Sequence, residues 1–309
     1  MDYQLLKRSL IWAPKHLKNI LSQGCSKKPI RIMTEISGKC NLQCPLCYWR
    51  KRNDHQELSD KQWETRIKEI IQENPNILGA AWLGGEPMLR FNLVKKLSRY
   101  FLHNVIISNG TLPLKRIRNT NYWISVDGTK EYFEKQRGPF YETVKRNIEN
   151  AETKNITIKC VISEINKPCL EDFVKEWSKV NNVKRIIFSF YTPEMLNKKD
   201  KDWINQDERR KTIKRLAKLS QLYPSLLRKN VEMLKVFLEP TVRSLPKICK
   251  INPQLYINSQ GERISNFTKD KHVCGYPSAD CERCGNYSAM KATFNFYNRY
   301  KALRNFAKR

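Results

Sequence analysis

Two hydrophobic periods alternate along this chain, and their alternation limits the possible folds more than any other feature. From Pro29 onward, short apolar runs rich in β-branched residues alternate with stretches in which apolar residues recur at helical spacing. Repeated strand and helix units of this kind pack as a parallel sheet or barrel covered by helices. We therefore predict an α/β fold with six strands, at residues 30–36, 77–83, 105–108, 122–126, 156–162 and 185–190.

The two ends of the chain depart from this pattern and suggest three regions. Residues 1–29 interleave leucine and isoleucine with lysine and arginine, which is typical of a basic amphipathic leader that lies on a membrane surface or packs across the barrel. Residues 30–239 form the strand and helix part. Residues 240–309 are rich in cysteine, end in a basic and aromatic tail, and contain a predicted β-hairpin, with arms at 255–258 and 263–266.

The charge and the absence of targeting signals restrict partners and compartment. The chain has 58 Lys and Arg against 30 Asp and Glu, a net charge of +28. This excess implies a polyanionic substrate or a membrane surface as partner, unless the lysines only cover solvated faces. The sequence contains neither the apolar core of a signal peptide nor a bilayer-spanning segment, so we expect a cytoplasmic protein, with a peripheral position at the membrane as an alternative.

Three cysteines follow the first predicted strand at close spacing, at Cys40, Cys44 and Cys47. Ten cysteines in a reducing compartment favour metal binding over disulfides. Three thiolates on one loop suit a cubane iron–sulfur cluster, because they leave one of its four irons open for another ligand. The alternatives are three structural thiols or a zinc site that lacks its fourth ligand.

This cysteine spacing after a first strand resembles the radical S-adenosylmethionine (SAM) superfamily. The resemblance implies a partial (β/α)6 TIM-like barrel with a small C-terminal cysteine-rich extension. It also implies a [4Fe-4S] cluster whose open iron is chelated by the methionine moiety of SAM. In that family an electron from the cluster splits SAM and generates a 5′-deoxyadenosyl radical. One departure is Leu46, since the residue before the third cysteine is commonly aromatic in the family.

A second motif, from Gly84 to Pro87, follows the second strand and is similar to the family segment that accepts the methionine ammonium. Its glycines would let backbone approach a ligand closely, and its proline would start a helix. Further segments at later strand ends imply ribose and carboxylate contacts, although such residues also serve as turns and caps. The predicted cofactor-binding residues are Gly84, Gly85, Glu86, Pro87, Asn109, Ser125, Asp127 and Ser189; no catalytic acid or hydrogen donor is predicted.

Four late cysteines provide enough thiols for a second centre: Cys249, Cys274, Cys281 and Cys284. The region resembles the shortened auxiliary-cluster domains, of twitch or SPASM type, of some family members. Asn266 departs from them, since a cysteine often follows the hairpin glycine there. The resemblance favours one second [4Fe-4S] cluster, with a closed zinc site as the rival.

The sequence leaves the substrate open among lipid, RNA and peptide. The layout is similar to family members that act on hopanoid lipids, and the enzyme is expected to need a reductant such as a flavodoxin or ferredoxin. The rival hypothesis is a zinc-binding module that holds RNA through its basic and aromatic tail without chemistry. That hypothesis must treat both early motifs as coincidences.

Overall fold

Seven parallel strands form one sheet in the computed structural model, which describes residues 10, 31–47, 49–50, 56–193, 197, 199–238, 254–263 and 283–285. The order of the strands is β6-β5-β4-β3-β2-β1-β7. Their bounds are β1 Arg31–Ser37, β2 Gly79–Gly84, β3 His103–Ser108, β4 Thr120–Ser125, β5 Ile156–Ile162, β6 Val183–Phe190 and β7 Gln254–Ile257. The six predicted strands are therefore confirmed, and the open parallel sheet agrees with the predicted partial barrel.

Helices connect most of the strands, as parallel pairing requires. Between β3 and β4, residues 109–119 contain no helix. The helices are α1 Asp60–Glu73, α2 Phe91–Leu97, α3 Lys130–Arg137, α4 Tyr141–Glu149, α5 Leu170–Trp177, α6 Gln206–Leu222 and α7 Pro224–Leu234.

Helix α1 illustrates how local sequence sets these elements. Its N-cap is Ser59, whose side chain accepts from the backbone N–H of Gln62 while the Gln62 side chain accepts from the Ser59 backbone, a capping box. Trp63, Ile67 and Ile70 then recur on one face and are fully buried against the sheet. The cap sets where this helix begins, and the apolar stripe sets which of its faces is buried.

The two faces of the sheet differ in burial. Residues that face the helices are fully buried, as Ile124 on β4 and Ile158 on β5 illustrate. Their neighbours on the inner face, such as Trp123, Ser125 and Lys159, are only partly buried. A closed eight-stranded barrel fills its interior with side chains. In the described part of the chain, these inner-face residues border a space that we call the lumen, and the sheet itself is open.

The seventh strand comes from the predicted cysteine-rich region. β7 pairs in parallel with β1, with Ile32 opposite Leu255. After β7 the chain turns back, with an antiparallel bridge between Ile257 and Arg263 and a hydrogen bond of 2.9 Å from Asn258 N to Glu262 O. The hairpin prediction is thus supported at its turn, and the arm at 264–266 lies outside the described residues.

Other predictions fall wholly or partly outside the described residues: the leader apart from Leu10, the boundary at 239 and 240, and Cys249, Cys274 and Cys281. Within the described part of the chain, none of the helices combines the length and the apolar character that a membrane crossing needs.

Candidate functional site

The predicted cluster cysteines lie on the loop that leaves the carboxyl end of β1. Cys40 is exposed, and Cys44 and Cys47 are half-buried. The loop is tied back on itself by a hydrogen bond of 3.2 Å from Cys47 N to Cys44 O. Its entry is fixed by Gly38 N, which donates to the Glu57 carboxylate at 2.7 Å. The strand end thus presents three thiols from one short, locally braced segment.

Opposing electrostatic effects act on these thiols. Burial raises the pKa of Cys44, and the neighbouring cysteines raise it further, whereas the Arg137 guanidinium lowers it. Burial likewise raises the pKa of Cys40, with a smaller contribution from the Glu86 carboxylate. Thiolate is the form that binds metal. Arg137 therefore supplies the positive charge that favours this form at Cys44.

The donor set fits a cluster with one open iron, since three thiols occupy one loop and interact electrostatically. In the part of the chain described here, no three Cys, His, Asp or Glu side chains converge closely enough to hold a single metal ion as they stand. We expect cluster loading to complete their convergence, because metal binding and local folding are coupled.

The two motif glycines allow the β2 loop to lie directly against the cysteine loop. Gly84 has φ +130°, and a Cβ there would lie 2.3 Å from Ser37 O. A Cβ on Gly85 would lie 2.1 Å from Lys39 O and 2.9 Å from Cys40 N. Both sites therefore require glycine for contact between loops. The close approach of this backbone to a ligand stays a prediction.

Glu86 joins the carboxyl ends of two strands. Its carboxylate is fully buried and has no cationic hydrogen-bond partner among the described residues. Burial raises its pKa, and the hydrogen bonds that it accepts oppose this rise. The donors are Met88 N at 2.9 Å, Ser108 Oγ at 2.8 Å and Asn109 N at 2.7 Å. The carboxylate is thus occupied in bridging β2 to β3, and Pro87 begins the short 3-10 turn that follows.

Asn109 extends this bridge to the cysteine loop. Its side-chain amide donates to Asn41 Oδ1 at 2.9 Å and lies 3.8 Å from Cys40 Sγ. Its side-chain oxygen, Oδ1, accepts from Thr111 N at 2.9 Å and from Thr111 Oγ1 at 2.6 Å. The structure therefore places Asn109 beside a cluster cysteine, where it positions the thiol.

At the end of β4, Asp127 forms a buried ion pair that sequence reasoning missed. Its carboxylate accepts from Arg137 Nε at 2.7 Å and from Val161 N at 2.7 Å. Burial lowers the pKa of Arg137, but Asp127 and the thiols of Cys44 and Cys47 raise it by more. Arg137 ends α3, and a basic residue at a helix end is too common to be singled out in a sequence.

The two predicted serines lie on the inner side of the sheet, on separate strands. Ser125 ends β4 and is partly exposed to the lumen. Ser189, near the end of β6, is buried. The site therefore brings together the cysteine loop, the β2 loop, Asn109 and Asp127. Ser189 lies two strands beyond β4 in the sheet.

One late cysteine reaches the same end of the sheet. The segment 283–285 docks on the end of β6, where Phe190 N donates to Gly285 O at 3.2 Å and Gly285 N donates to Thr192 Oγ1 at 2.8 Å. Cys284, in the middle of this segment, is half-buried. A cysteine distant in sequence is thus held at the mouth of the barrel.

A fully buried arginine, Arg209 of α6, anchors this segment. Its guanidinium lies over the rings of Phe190, Trp203 and Phe237, at 5.1 to 5.6 Å from their centroids. Burial lowers its pKa to about 10, and the Cys284 thiol opposes this shift. The guanidinium donates to four backbone carbonyls: Ile204 at 3.0 Å, Cys284 at 3.2 Å, Tyr191 at 3.3 Å and Arg283 at 3.0 Å.

The arrangement defines a class of protein: a parallel α/β partial barrel whose carboxyl edge carries a three-thiol loop braced by a Gly-Gly-Glu-Pro loop. Residues 34–166 match the family model of the Radical SAM superfamily. The chain therefore carries a radical SAM domain, and the predicted enzyme class is confirmed at the level of the superfamily. This match favours the enzyme over the zinc- and RNA-binding alternative.

One relative is similar to part of this chain. Uncharacterized protein MJ0907 of Methanocaldococcus jannaschii is 26% identical over 184 residues, 53% of this chain. The match spans 63% of that protein, less than two thirds of its length.

Two solved structures share the fold. The structure of anSMEcpe with bound AdoMet has a TM-score of 0.59 at 16% identity, covering 90% of this chain and 100% of that one. Streptococcus suis SuiB bound to precursor peptide SuiA has a TM-score of 0.56 at 17% identity, covering 81% and 62%. At these identities the likeness establishes the partial-barrel fold.

The contact between loops generates a prediction for Gly85→Val. The new side chain would push Lys39 and Cys40 away from the β2 loop, so we expect at least a twofold loss of bound iron after anaerobic reconstitution, together with weaker SAM binding. Gly79→Ala, on the same strand, is the matched control, because its Cβ would make an ordinary contact of 3.4 Å with Arg31. Full iron content in Gly85→Val would contradict the proposed support of the cysteine loop.

For Arg209→Met we expect a loss of about 3 kcal/mol in the free energy of unfolding, since buried carbonyls would lose their donors. Denaturant unfolding under anaerobic conditions measures this loss. Lys218→Met, on the exposed face of the same helix, should change stability by less than about 0.5 kcal/mol. Equal stability of the two variants would mean that the guanidinium does not anchor the segment.

Proposed function

We propose that this protein reductively cleaves SAM at a cluster held by Cys40, Cys44 and Cys47 and uses the resulting radical on a peptide substrate. The observation that carries the proposal is the bracing of the three-thiol loop by the Gly85 contact and by Asn109, within a radical SAM domain. When bound, a [4Fe-4S] cluster supplies the electron that splits SAM into methionine and a 5′-deoxyadenosyl radical.

The residues around the loop have distinct tasks in this proposal. Glu86 fixes the distance between the ends of β2 and β3 through its three accepted hydrogen bonds. The Asn109 side chain positions the Cys40 thiol, and Arg137 keeps a positive charge beside the Cys44 thiol. Preorganised groups of this kind do not have to move when the reaction begins. The backbone of Gly84 to Pro87, together with Ser125 and Ser189, is left to bind SAM.

A peptide is favoured over the lipid and RNA alternatives because two proteins with this fold have been solved with peptides. SuiB was determined bound to precursor peptide SuiA, and anSMEcpe with bound AdoMet and the Cp18Cys peptide. The partly exposed inner face provides space for a substrate next to the cysteine loop. The electron is proposed to come from a flavodoxin or ferredoxin, and the basic surface to help attract such an acidic partner.

We further propose that Cys249, Cys274, Cys281 and Cys284 hold an auxiliary [4Fe-4S] cluster. Support comes from the position of Cys284 at the barrel mouth and from the buried Arg209 beside it. A buried guanidinium without a carboxylate partner among the described residues is stabilised by a nearby thiolate. With all four irons held by protein, such a centre carries electrons or supports structure and does not bind SAM.

Replacement of any one cluster cysteine tests the first proposal. Cys40→Ala, Cys44→Ala and Cys47→Ala should each abolish production of 5′-deoxyadenosine, because two irons of the cubane would lack protein ligands. The product is measured by chromatography after reconstitution and addition of dithionite. Cys160→Ala, at a buried core cysteine outside the loop, should keep most of this activity. Retained turnover in any of the three loop variants would refute the assignment.

Iron analysis tests the auxiliary cluster. The intact protein should contain about eight irons per chain, falling to about four when all three early cysteines are replaced, since each cubane holds four. About one zinc and no iron in that triple variant would reject the auxiliary cluster and indicate a closed tetrahedral site. The assignment of the early cysteines would stand in either case.

A further inference from the structure

Lys159 occupies the inner face of the sheet at the middle of β5. Its neighbours along the strand, Ile158 and Cys160, are fully buried on the helix side, so the alternation of the strand directs Lys159 into the lumen. It lies in register with Ser125 on β4 and with Ile187 on β6. The lysine therefore stands on the inner face of the sheet, at about the level at which β1 ends and the cysteine loop begins.

No anion in the described residues is paired with this lysine. It takes part in none of the salt bridges or side-chain hydrogen bonds of the described residues, and its neighbours in register are a hydroxyl and an aliphatic side chain. Burial lowers its pKa, which Asp127 opposes and Arg137 reinforces. A lysine that is partly withdrawn from water on the inner face of a sheet loses hydration, and an anion that binds there would compensate this loss.

The carboxylate that acts on Lys159 is already paired with another residue. Asp127 accepts from Arg137 Nη2 at 2.6 Å and from the backbone of Val161. Asp127 and Arg137 carry opposite charges and form an ion pair, so the ammonium of Lys159 is the one charge of these three side chains that has no counter-charge among them. A single monoanion would neutralise this group. Arg137 also faces Cys44, whereas the charges that act on Lys159 are those of Asp127 and Arg137 alone.

We propose that Lys159 binds a carboxylate of the substrate and thereby fixes the substrate in the lumen beside the cysteine loop. This inference rests on the proposed function and specifies its substrate as one that carries a carboxylate, such as an acidic side chain or the C-terminus of a peptide. A carboxylate matches the single positive charge and is small enough to meet an ammonium between Ser125 and Ile187.

Chemical modification of the wild-type holoprotein tests the inference without the unknown substrate. With the cluster loaded, SAM present and no reductant, methyl acetimidate amidinates accessible lysines, and peptide mass spectrometry gives the rate at Lys159. Acetate is the carboxylate probe. At ten times its dissociation constant, acetate should slow the modification of Lys159 about tenfold, because only about one site in ten stays free. Acetamide, which has the same shape without charge, should not slow it.

Lys184, exposed on β6, is the internal control and should react at the same rate with and without acetate. Three results would overturn the inference: no protection by acetate, protection by dimethyl phosphate but not by acetate, or full protection of Lys159 by SAM alone. The second would indicate a phosphodiester, as in RNA or lipid, and the third would assign Lys159 to the carboxylate of SAM.

Separate measurements keep this test distinct from that of the proposed function. Lys159→Met should retain the iron content and the SAM affinity of the wild type, as should Lys184→Met. Loss of both in Lys159→Met alone would overturn the inference by giving the lysine a role in assembling the cluster site. Failure of the protein to cleave SAM would refute the proposed function while leaving the acetate result readable.

Discussion

The buried carboxylate of Glu86 is the interaction on which the geometry of the site depends. A carboxylate without a cation can remain buried only if donors surround it, and here the donors come from the β2 loop and from the end of β3. Through this bridge Glu86 fixes the backbone of Asn109, and the side-chain amide of Asn109 in turn lies near Cys40 Sγ. One acidic residue therefore sets the spacing of three loops that are far apart in sequence. These hydrogen bonds give Glu86 a positional role, and its predicted contact with the cofactor stays a prediction.

Three charged side chains neighbour one another between the cysteine loop and the inner face of the sheet. Arg137 stands beside Cys44, Asp127 neutralises Arg137, and Lys159 lies beyond this ion pair. The low dielectric of the interior strengthens each of these interactions and makes an unpaired charge costly. Two cations therefore lie at this end of the barrel: Arg137 next to the thiols, and Lys159, for which we propose a carboxylate ligand.

The periodicity of apolar residues in the sequence was sufficient to predict β1 to β6, because strands that are buried on the helix side show dense apolar runs. β7 overlaps the hairpin arm predicted at 255–258, but its pairing with β1 could not be predicted, because it depends on tertiary contacts. The cysteine and glycine motifs identified the loops of the site, but the reason for Gly85 lay in a backbone contact with Lys39 that spacing alone does not reveal. Arg137 and Lys159 were missed because their significance depends on which neighbours the fold brings to them.

The C-terminal cysteines were predicted as a separate extension, and the contacts of the described residues argue for a closer association with the barrel. β7 extends the sheet beside β1, at one edge, while the segment with Cys284 docks on β6, at the other. The region therefore contacts both edges of an open sheet. Arg209 secures the second contact by donating to the carbonyls of Arg283 and Cys284 from a position buried among aromatic rings. A guanidinium in that position has neither solvent nor a carboxylate partner among the described residues. Displacement of the segment would therefore leave it without two of its carbonyl acceptors. The barrel mouth and the late cysteine are thus energetically coupled.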